Sequence, residues 1–291
     1  MNRPRRTLLL VNPKARRGGE SLEPILAQFR QSGLEVTIET FDALPELARD
    51  IVRLRDSHDE VVVCGGDGSV SAAAIAVMES GLPMGILPMG TANDLARTLF
   101  IPTELEEAAE VIIRGRLRAI DVGSVNGHAF FNVASIGLST EIAQKLDSGL
   151  KRKFGRLSYA VAAFKVLLSA SRFRARITEG EHTRIVRTYQ IAIGNGVHYG
   201  GGNVIAETAE IDDGHLDLYS LEMTSLWKLA FMLPAFRSGR HGAYKEVRTA
   251  RGAEFRIETR REMPVNADGE IVTSTPARFK VHPGAVSVFV P

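Results

Sequence analysis

The sequence predicts a two-part chain, an α/β unit with a layered, mostly parallel sheet over residues 1–122 and an antiparallel, sandwich-like β unit over 123–291. Three observations predict it. Before residue 120, short aliphatic runs alternate with apolar residues at helical spacing, and repeated units of this kind give a parallel sheet covered by helices. After Ile120 the period becomes mainly two, with turn dipeptides between the runs. The length of 291 residues corresponds to roughly two domains at about 150 residues each.

In the first unit, Leu8–Val11 is a short strand followed by the basic loop Asn12-Pro13-Lys14-Ala15-Arg16-Arg17-Gly18-Gly19. Leu22, Ile25, Leu26 and Phe29 recur at helical spacing. Val36–Thr40 is a second strand, and Leu44, Leu47, Ala48, Ile51 and Val52 mark a second helix with Asp42 near its start. Glu60–Cys64 is continuous and β-branched, the pattern of a strand buried on both faces. A glycine turn, a helix over Val70–Met78 and a strand over Pro83–Leu87 follow.

In the second unit, Ile120–Val125, Asn126-Gly127 and Ala129–Ala134 predict a hairpin, because Asn-Gly supplies the positive φ angles of a type I′ turn. Further strands are predicted over Arg172–Ile177, Arg184–Ile193, His215–Leu221, Glu246–Thr249, Ala253–Glu258, Met263–Asn266, Ile271–Thr273, Arg278–Val281 and Val286–Val290. The turn signals are Glu179-Gly180, Arg251-Gly252, Asp268-Gly269 and Pro283-Gly284. Helical segments are predicted near 139–146, 156–170 and 225–237, and the last strand is free to return to the first unit.

Composition excludes several classes. With 44% hydrophobic and 24% charged residues the chain is an ordinary globular one, not a disordered or fibrous one. One cysteine, Cys64, permits neither an intramolecular disulfide nor a cysteine zinc site and favours a reducing compartment. Lys and Arg number 36 against 34 Asp and Glu, a net +2, too even for a dedicated nucleic-acid binder. The apolar run Thr7–Val11 is shorter than a signal h-region, and the stretches Leu157–Ala170 and Leu226–Phe236 carry Lys165 and Lys228 and are too short to span a bilayer. The expectation is a soluble protein. His198, His215, His241 and His282 have no metal-ligand spacing and read as structural or surface groups.

The strongest local signal is Val61-Val62-Val63-Cys64-Gly65-Gly66-Asp67-Gly68-Ser69, a strand, a glycine turn and a helix start. Glycines let backbone N–H groups approach a phosphate, and a helix N-terminus adds positive potential. No Gly-x-x-x-x-Gly-Lys-[Ser/Thr] occurs, so this is not a P-loop. Asp67 is the oddity: a carboxylate beside a phosphate needs a cation between them or a neutral group to face. The competing reading is a turn that merely packs strand against helix. A second loop, Leu87-Pro88-Met89-Gly90-Thr91-Ala92-Asn93-Asp94, also follows a strand and carries an Asp. Thr91 and Asp94 fit a capping box, yet two adjacent βα turns then place an Asp at the end of the sheet where ligands bind.

These motifs together resemble the soluble bacterial diacylglycerol kinase-like lipid kinases, relatives of the diacylglycerol, sphingosine and ceramide kinases within the NAD kinase superfamily. The resemblance continues through Ile120-Asp121-Val122-Gly123, Phe131-Asn132, Gly155-Arg156-x-x-Tyr159, Asn195-Gly196 with Gly200-Gly201-Gly202, Asp212-Asp213-Gly214-x-Leu216-Asp217 and Asp268-Gly269-Glu270. It covers nearly the whole chain and implies an NAD kinase-like first domain. The chain departs from the pattern at Ser69-Val70-Ser71-Ala72, where the family usually has Thr, an apolar residue, Asn and Glu.

The resemblance implies ATP and Mg²⁺ as cofactors, with ATP in a cleft between the domains. The implied contacts are Asn12, Pro13, Lys14, Ala15, Arg16, Thr40, Gly65, Gly66, Asp67, Gly68, Ser69, Val70, Ser71 and Thr91. Lys14, Arg16 and Arg17 are expected near phosphates, with a solvated loop the alternative for Arg17. Asp67, Asp94 and Asp121 are the expected acidic groups around nucleotide-bound Mg²⁺, not all of them direct ligands; the alternative for Asp121 is a carboxylate that fixes the domain boundary. Glu270 is the expected proton acceptor from a lipid hydroxyl, while Asp268 is expected to serve the hairpin turn. A second, structural Mg²⁺ is implied at the Asp213 side chain with main-chain oxygens of Glu210 and His215.

The expected partner is a membrane lipid reached from an anionic membrane surface, with the protein cytoplasmic and peripheral at the inner face and with no nucleic acid. Lys151, Arg152, Lys153 and Arg156 precede an apolar segment, and Trp227, Phe231, Met232, Leu233 and Phe236 precede Arg237 and Arg240. Core packing is the competing reading of those apolar residues. An NAD kinase-like enzyme and a catalytically silent lipid- or nucleotide-binding protein are the rival functions. The acceptor lipid and the oligomeric state, a dimer included, stay open.

Overall fold

A computed structural model of the chain describes residues 3–15, 17–141, 170–199, 203–204, 209–224 and 244–291. Most of the helical segments expected near 139–146, 156–170 and 225–237 lie outside the described residues, as do Arg16 and the basic cluster at 151–156.

The first unit runs β1 (Arg5–Val11), α1 (Glu23–Gln31), β2 (Leu34–Thr40), α2 (Leu44–Leu54), β3 (Glu60–Gly65), α3 (Asp67–Ser80), β4 (Met84–Pro88), α4 (Asp94–Thr98) and α5 (Leu105–Arg114). The second unit carries β5 (Leu117–Val125), β6 (His128–Phe130), β7 (Val133–Gly137), β8 (Phe173–Glu179), β9 (His182–Thr188), β10 (Gln190–Gly194), β11 (His198–Tyr199) and β12 (Asn203–Val204). It continues with β13 (Leu216–Leu221), β14 (Val247–Gly252), β15 (Glu254–Thr259), β16 (Pro264–Ala267), β17 (Glu270–Ser274) and β18 (Ala277–Phe289).

The aliphatic strands pair in parallel, β2 with β1, β1 with β3, and β3 with β4. Their apolar residues are enclosed: Leu8, Leu9, Leu10, Val61, Val62 and Val63 have no exposed surface. α1 buries Ile25, Leu26 and Phe29 against this sheet, and α2 buries Leu47 and Ile51. Glu46 starts α2 by accepting the N–H groups of Asp42 and Ala43 at 2.9 and 3.3 Å, a capping interaction without a side-chain cap at residue 43. α5 is a further amphipathic helix beyond those read from the sequence.

β18 returns to the first unit, lying parallel to β4 at Val288 and Met84 while pairing antiparallel with β5 and β15. One ten-stranded sheet therefore runs through both units, in the order β2-β1-β3-β4-β18-β15-β8-β9, with β5 beside β18 and β6 beside β5. A six-stranded sheet, β14-β13-β10-β7-β16-β17, covers it. Phe255, Ile257 and Phe279 from the first sheet meet Ile136, Ile191 and Leu218 from the second in one core, which makes the second unit a sandwich.

Four expected strands change on folding. The Arg278–Val281 and Val286–Val290 runs are one strand, β18, bulged between His282 and Val286, and Gly284 at φ 58° supplies the bulge instead of a turn. The Arg184–Ile193 run divides at Tyr189 into β9 and β10, which belong to different sheets. The Asn126-Gly127 turn has positive φ at both residues, 48° and 87°, but the strand after it divides into β6 and β7 at 131–132, for a reason found in the site below.

At the opposite end of β1, Asp59 accepts the Arg6 backbone N–H at 2.9 Å and its guanidinium at 3.1 Å. These bonds, with Arg3 nearby, bring its pKa from 3.8 to about 2. Its contribution to stability is therefore complete above about pH 4 and is lost as pH falls through 2. Thermal melts between pH 2 and 5 should show Asp59→Asn with a shallower acid dependence than the parent and an equal slope above pH 5. Among the described residues, no helix is long and apolar enough to cross a membrane.

Candidate active site

The carboxyl ends of β1, β2, β3 and β4 open on a cleft of about 340 Å³ lined by Asn12, Lys14, Ala15, Phe41, Asp42, Leu44, Gly66, Gly68, Ser69, Gly90 and Thr91. Seven of these, Asn12, Lys14, Ala15, Gly66, Gly68, Ser69 and Thr91, are expected nucleotide contacts. Phe41, Asp42 and Leu44 join them because β2 ends beside β1, which no local signal announces, and Gly90 comes from the second glycine loop after β4.

The loops around this cleft are tied to one another. Asn12 donates from Nδ2 to Ser69 Oγ at 2.8 Å and accepts the Lys14 N–H at 2.9 Å, joining the basic loop to the glycine turn. Gly66 and Gly90 touch backbone to backbone: a Cβ on Gly66 would lie 2.9 Å from Gly90 Cα. Both glycines are needed for that approach, because any side chain would part the two loops. Lys14 Nζ donates to the Asp42 carbonyl at 2.8 Å and stands 3.6 Å from its carboxylate, at the cleft mouth.

Other expected contacts are placed elsewhere. Val70 is 5% exposed and packs into the first core. Thr40, at the end of β2, is exposed but does not line the cleft. Arg17 turns away, to Glu20 at 2.7 Å and the Thr103 carbonyl at 2.9 Å, so it pins the basic loop to the approach to α5. Cys64 is buried under the turn, and burial pushes its thiol pKa far up, leaving it inert.

Asp67, at the first turn of α3, accepts the N–H groups of Asn93 and Asp94 at 2.8 and 2.7 Å. It therefore faces neutral donors at the start of α4, and it orders the second loop. Asn93 completes that loop at φ 50°, accepting the Gly90 N–H at 3.0 Å. The two acidic loops thus adjoin, with Asp94 5% exposed. Asp94 also lies near His198, whose pKa burial lowers against the pull of that carboxylate.

Asp121 has a different employment. It is 2% exposed, and its two oxygens accept the N–H groups of Gly214 at 2.6 Å and Gly284 at 2.7 Å. Asn195 adds bonds to the Asp121 and Phe131 carbonyls, both at 3.0 Å. The carboxylate secures the junction between β5, the 211–214 turn and the β18 bulge.

Asp268 is more than a turn residue. With Gly269 it does make a turn of positive φ, 46° and 99°. Its carboxylate, however, accepts the N–H groups of Phe131 at 2.8 Å, Asn132 at 3.0 Å and Val133 at 3.0 Å, and the Ser71 hydroxyl at 2.6 Å. Burial pushes its pKa up against the pull of those donors. This explains the division of β6 from β7: three successive N–H groups turn to one carboxylate, and the chain crosses from one sheet to the other. Ser71, where the chain departs from the family pattern, is the α3 side of this link. Glu270 follows two residues later, exposed at the start of β17. The link ties the turn that precedes Glu270 to the helix that begins at Asp67.

The Asp213 carboxylate expected at a structural Mg²⁺ already has partners in this structure. Asp213 forms an ion pair with Arg251 through one oxygen and accepts the His215 N–H at 2.9 Å through the other. His215 Nδ1 lies 2.7 Å from the Asp213 carbonyl, and Glu210 is exposed. A guanidinium already neutralises the one carboxylate that would carry the cation, and the described residues hold no cluster of three acidic, His or Cys side chains suited to a metal.

Comparison with known proteins gives two matches to family descriptions. The diacylglycerol kinase catalytic domain matches residues 6–125, and the YegS C-terminal NAD kinase beta sandwich-like domain matches residues 132–290. A Pectobacterium atrosepticum protein named a "probable lipid kinase YegS-like" is 34% identical, over 98% of this chain and 96% of its own. A Staphylococcus saprophyticus diacylglycerol kinase is 27% identical over 99% and 96%. A solved Bacillus anthracis structure described as a candidate diacylglycerol kinase superposes with a TM-score of 0.85 at 25% identity, covering 100% of this chain and 97% of that one.

Proposed function

Since the chain belongs to the diacylglycerol kinase family of lipid kinases, we propose that it transfers the γ-phosphate of Mg²⁺-bound ATP to a hydroxyl of a membrane lipid such as diacylglycerol. The observation that carries this reading is the pair of interlocked glycine loops at the carboxyl end of the parallel sheet, joined by the bonds that Asp67 accepts from Asn93 and Asp94.

In this reading the nucleotide phosphates lie against the glycine turn and the N-terminus of α3, where backbone N–H groups and the helix dipole favour anions. Lys14 leaves Asp42 to pair with a phosphate oxygen. Asp67 and Asp94 would hold the magnesium of the nucleotide, which would supply neutralisation of charge on the phosphates. Glu270 orients the lipid hydroxyl and takes its proton as the oxygen–phosphorus bond forms and the bond to the ADP oxygen breaks. The enzyme works from the cytoplasm at the inner membrane face.

The test is incubation with labelled ATP, Mg²⁺ and a lipid panel in mixed micelles, with products separated by chromatography. Labelled phospholipid is expected. Glu270→Gln should lower kcat by roughly 10²–10⁴-fold with the KM for ATP unchanged, because the carboxylate touches the acceptor and not the nucleotide. Label in NAD, or no labelled lipid despite ATP binding, would overturn the reading.

A further inference from the structure

Far along the sheet from the cleft, four arginines meet with no carboxylate among them. Arg172 precedes β8, Arg174 lies on β8, Arg187 on β9, and Arg260 follows β15; together they line a cleft of about 510 Å³. Arg174 and Arg187 are direct register partners across the β8–β9 pair. Like charges placed opposite one another destabilise a sheet. A neighbouring carboxylate, Glu258, is shared by Arg176 at 3.2 Å and Arg256 at 2.8 Å. Among the described residues, Arg172, Arg174, Arg187 and Arg260 have no acidic partner, and all four are exposed.

The same face carries an apolar tip. Ile185 stands opposite Arg176 in the register and is 53% exposed. It lines a smaller cleft of about 310 Å³ with Arg174, Arg176 and Arg260. β9 is the edge of the ten-stranded sheet, and charged residues on an edge strand do discourage unwanted pairing. That function does not require arginines from the loops before β8 and after β15 to converge on the same point, nor an exposed isoleucine among them.

We propose that this face of the β8–β9 hairpin, with Arg172 and Arg260, docks the protein on an anionic bilayer. The guanidinium groups bind phosphodiester headgroups and Ile185 enters the interface between them. The choice of a bilayer rests on the lipid-kinase reading above and on charge complementarity. Exposed guanidiniums spread over three segments suit many headgroups at once, whereas a single small anion needs enclosed donors. Each basic residue near an anionic leaflet contributes roughly a fivefold factor in partitioning.

The experiment is co-sedimentation of the full chain with phosphatidylglycerol–phosphatidylcholine vesicles and with phosphatidylcholine vesicles, in low and high salt. Binding is expected to the anionic vesicles only and to weaken in high salt. Arg174→Ala/Arg187→Ala should reduce it by roughly 20-fold, while Arg30→Ala/Arg55→Ala, which removes equal charge elsewhere, should not. The kinase arm uses a short-chain diacylglycerol dissolved as monomers: the hairpin variant should keep parental turnover there and lose turnover on vesicles. Equal vesicle binding by parent and hairpin variant would overturn the docking surface, as would displacement from the vesicles by an equal phosphate concentration of single-stranded RNA. If no lipid is phosphorylated in any form yet the variant loses vesicle binding, the docking surface stands and the kinase reading falls.

Discussion

Asp67→Ala should lower lipid phosphorylation by at least about 10²–10³-fold while leaving a folded protein. The carboxylate holds the N–H groups of Asn93 and Asp94 at 2.8 and 2.7 Å. Each buried donor left without a partner costs about 1–3 kcal/mol, enough to release the start of α4, a five-residue helix. Displacement of a substrate-positioning loop by about 1 Å is worth 10²-fold in rate. On the proposed function, the loss of a carboxylate that would hold the nucleotide's magnesium adds to this. Asp67→Asn keeps the shape but removes the charge, and should recover the fold more than the rate. Kinetics with labelled ATP, alongside circular dichroism, check both. A variant within threefold of the parent would sink the role given to Asp67.

Asp268→Asn should be the most destabilising single change at the site. One carboxylate serves three backbone N–H groups and the Ser71 hydroxyl. An amide offers one acceptor oxygen and turns an N–H₂ toward the remaining donors, at a cost of about 3–5 kcal/mol. For a chain of this size the expected fall in Tm is roughly 10 °C. Ser71→Ala removes only one of the four donors and should cost about 2 kcal/mol. A double-mutant cycle separates the pair: the double variant should be less destabilised than the sum of the single ones, and simple additivity would show that the 2.6 Å contact does not act across the two units. Ser71→Asn restores the residue type usual in the family at this position and should retain the link.

Much of the fold is legible because burial leaves a periodic trace. Glu60–Gly65 is buried along its whole length, as its β-branched run predicts. The Asn126-Gly127 turn follows from the two residues that best tolerate its dihedrals. The glycine motifs are legible for the same local reason, since Gly66 and Gly90 are forced by contact with each other. Two of the expectations that changed concern partners distant in sequence. Asp268 reads as turn chemistry because Ser71 is 197 residues away, and Asp213 reads as a cation ligand because Arg251 is 38 residues away. No spacing rule reaches that far. The Arg174–Arg187 juxtaposition is likewise invisible until the register of β8 against β9 is known.

The chain by itself therefore determined its two kinds of unit, its glycine loops and its membership of a lipid-kinase family. The units and the loops depend on backbone propensity, hydrophobic period and local turn dihedrals, which neighbouring residues set, whereas the family is read from the likeness of the motifs to those of known proteins. Only the tertiary structure decided that β18 closes one sheet through both units, that Asp121 and Asp268 hold junctions, and that Arg251 takes the carboxylate expected for a cation. A buried carboxylate must find donors to offset its lost hydration, and which donors reach it is a property of the folded chain, not of the residues beside it.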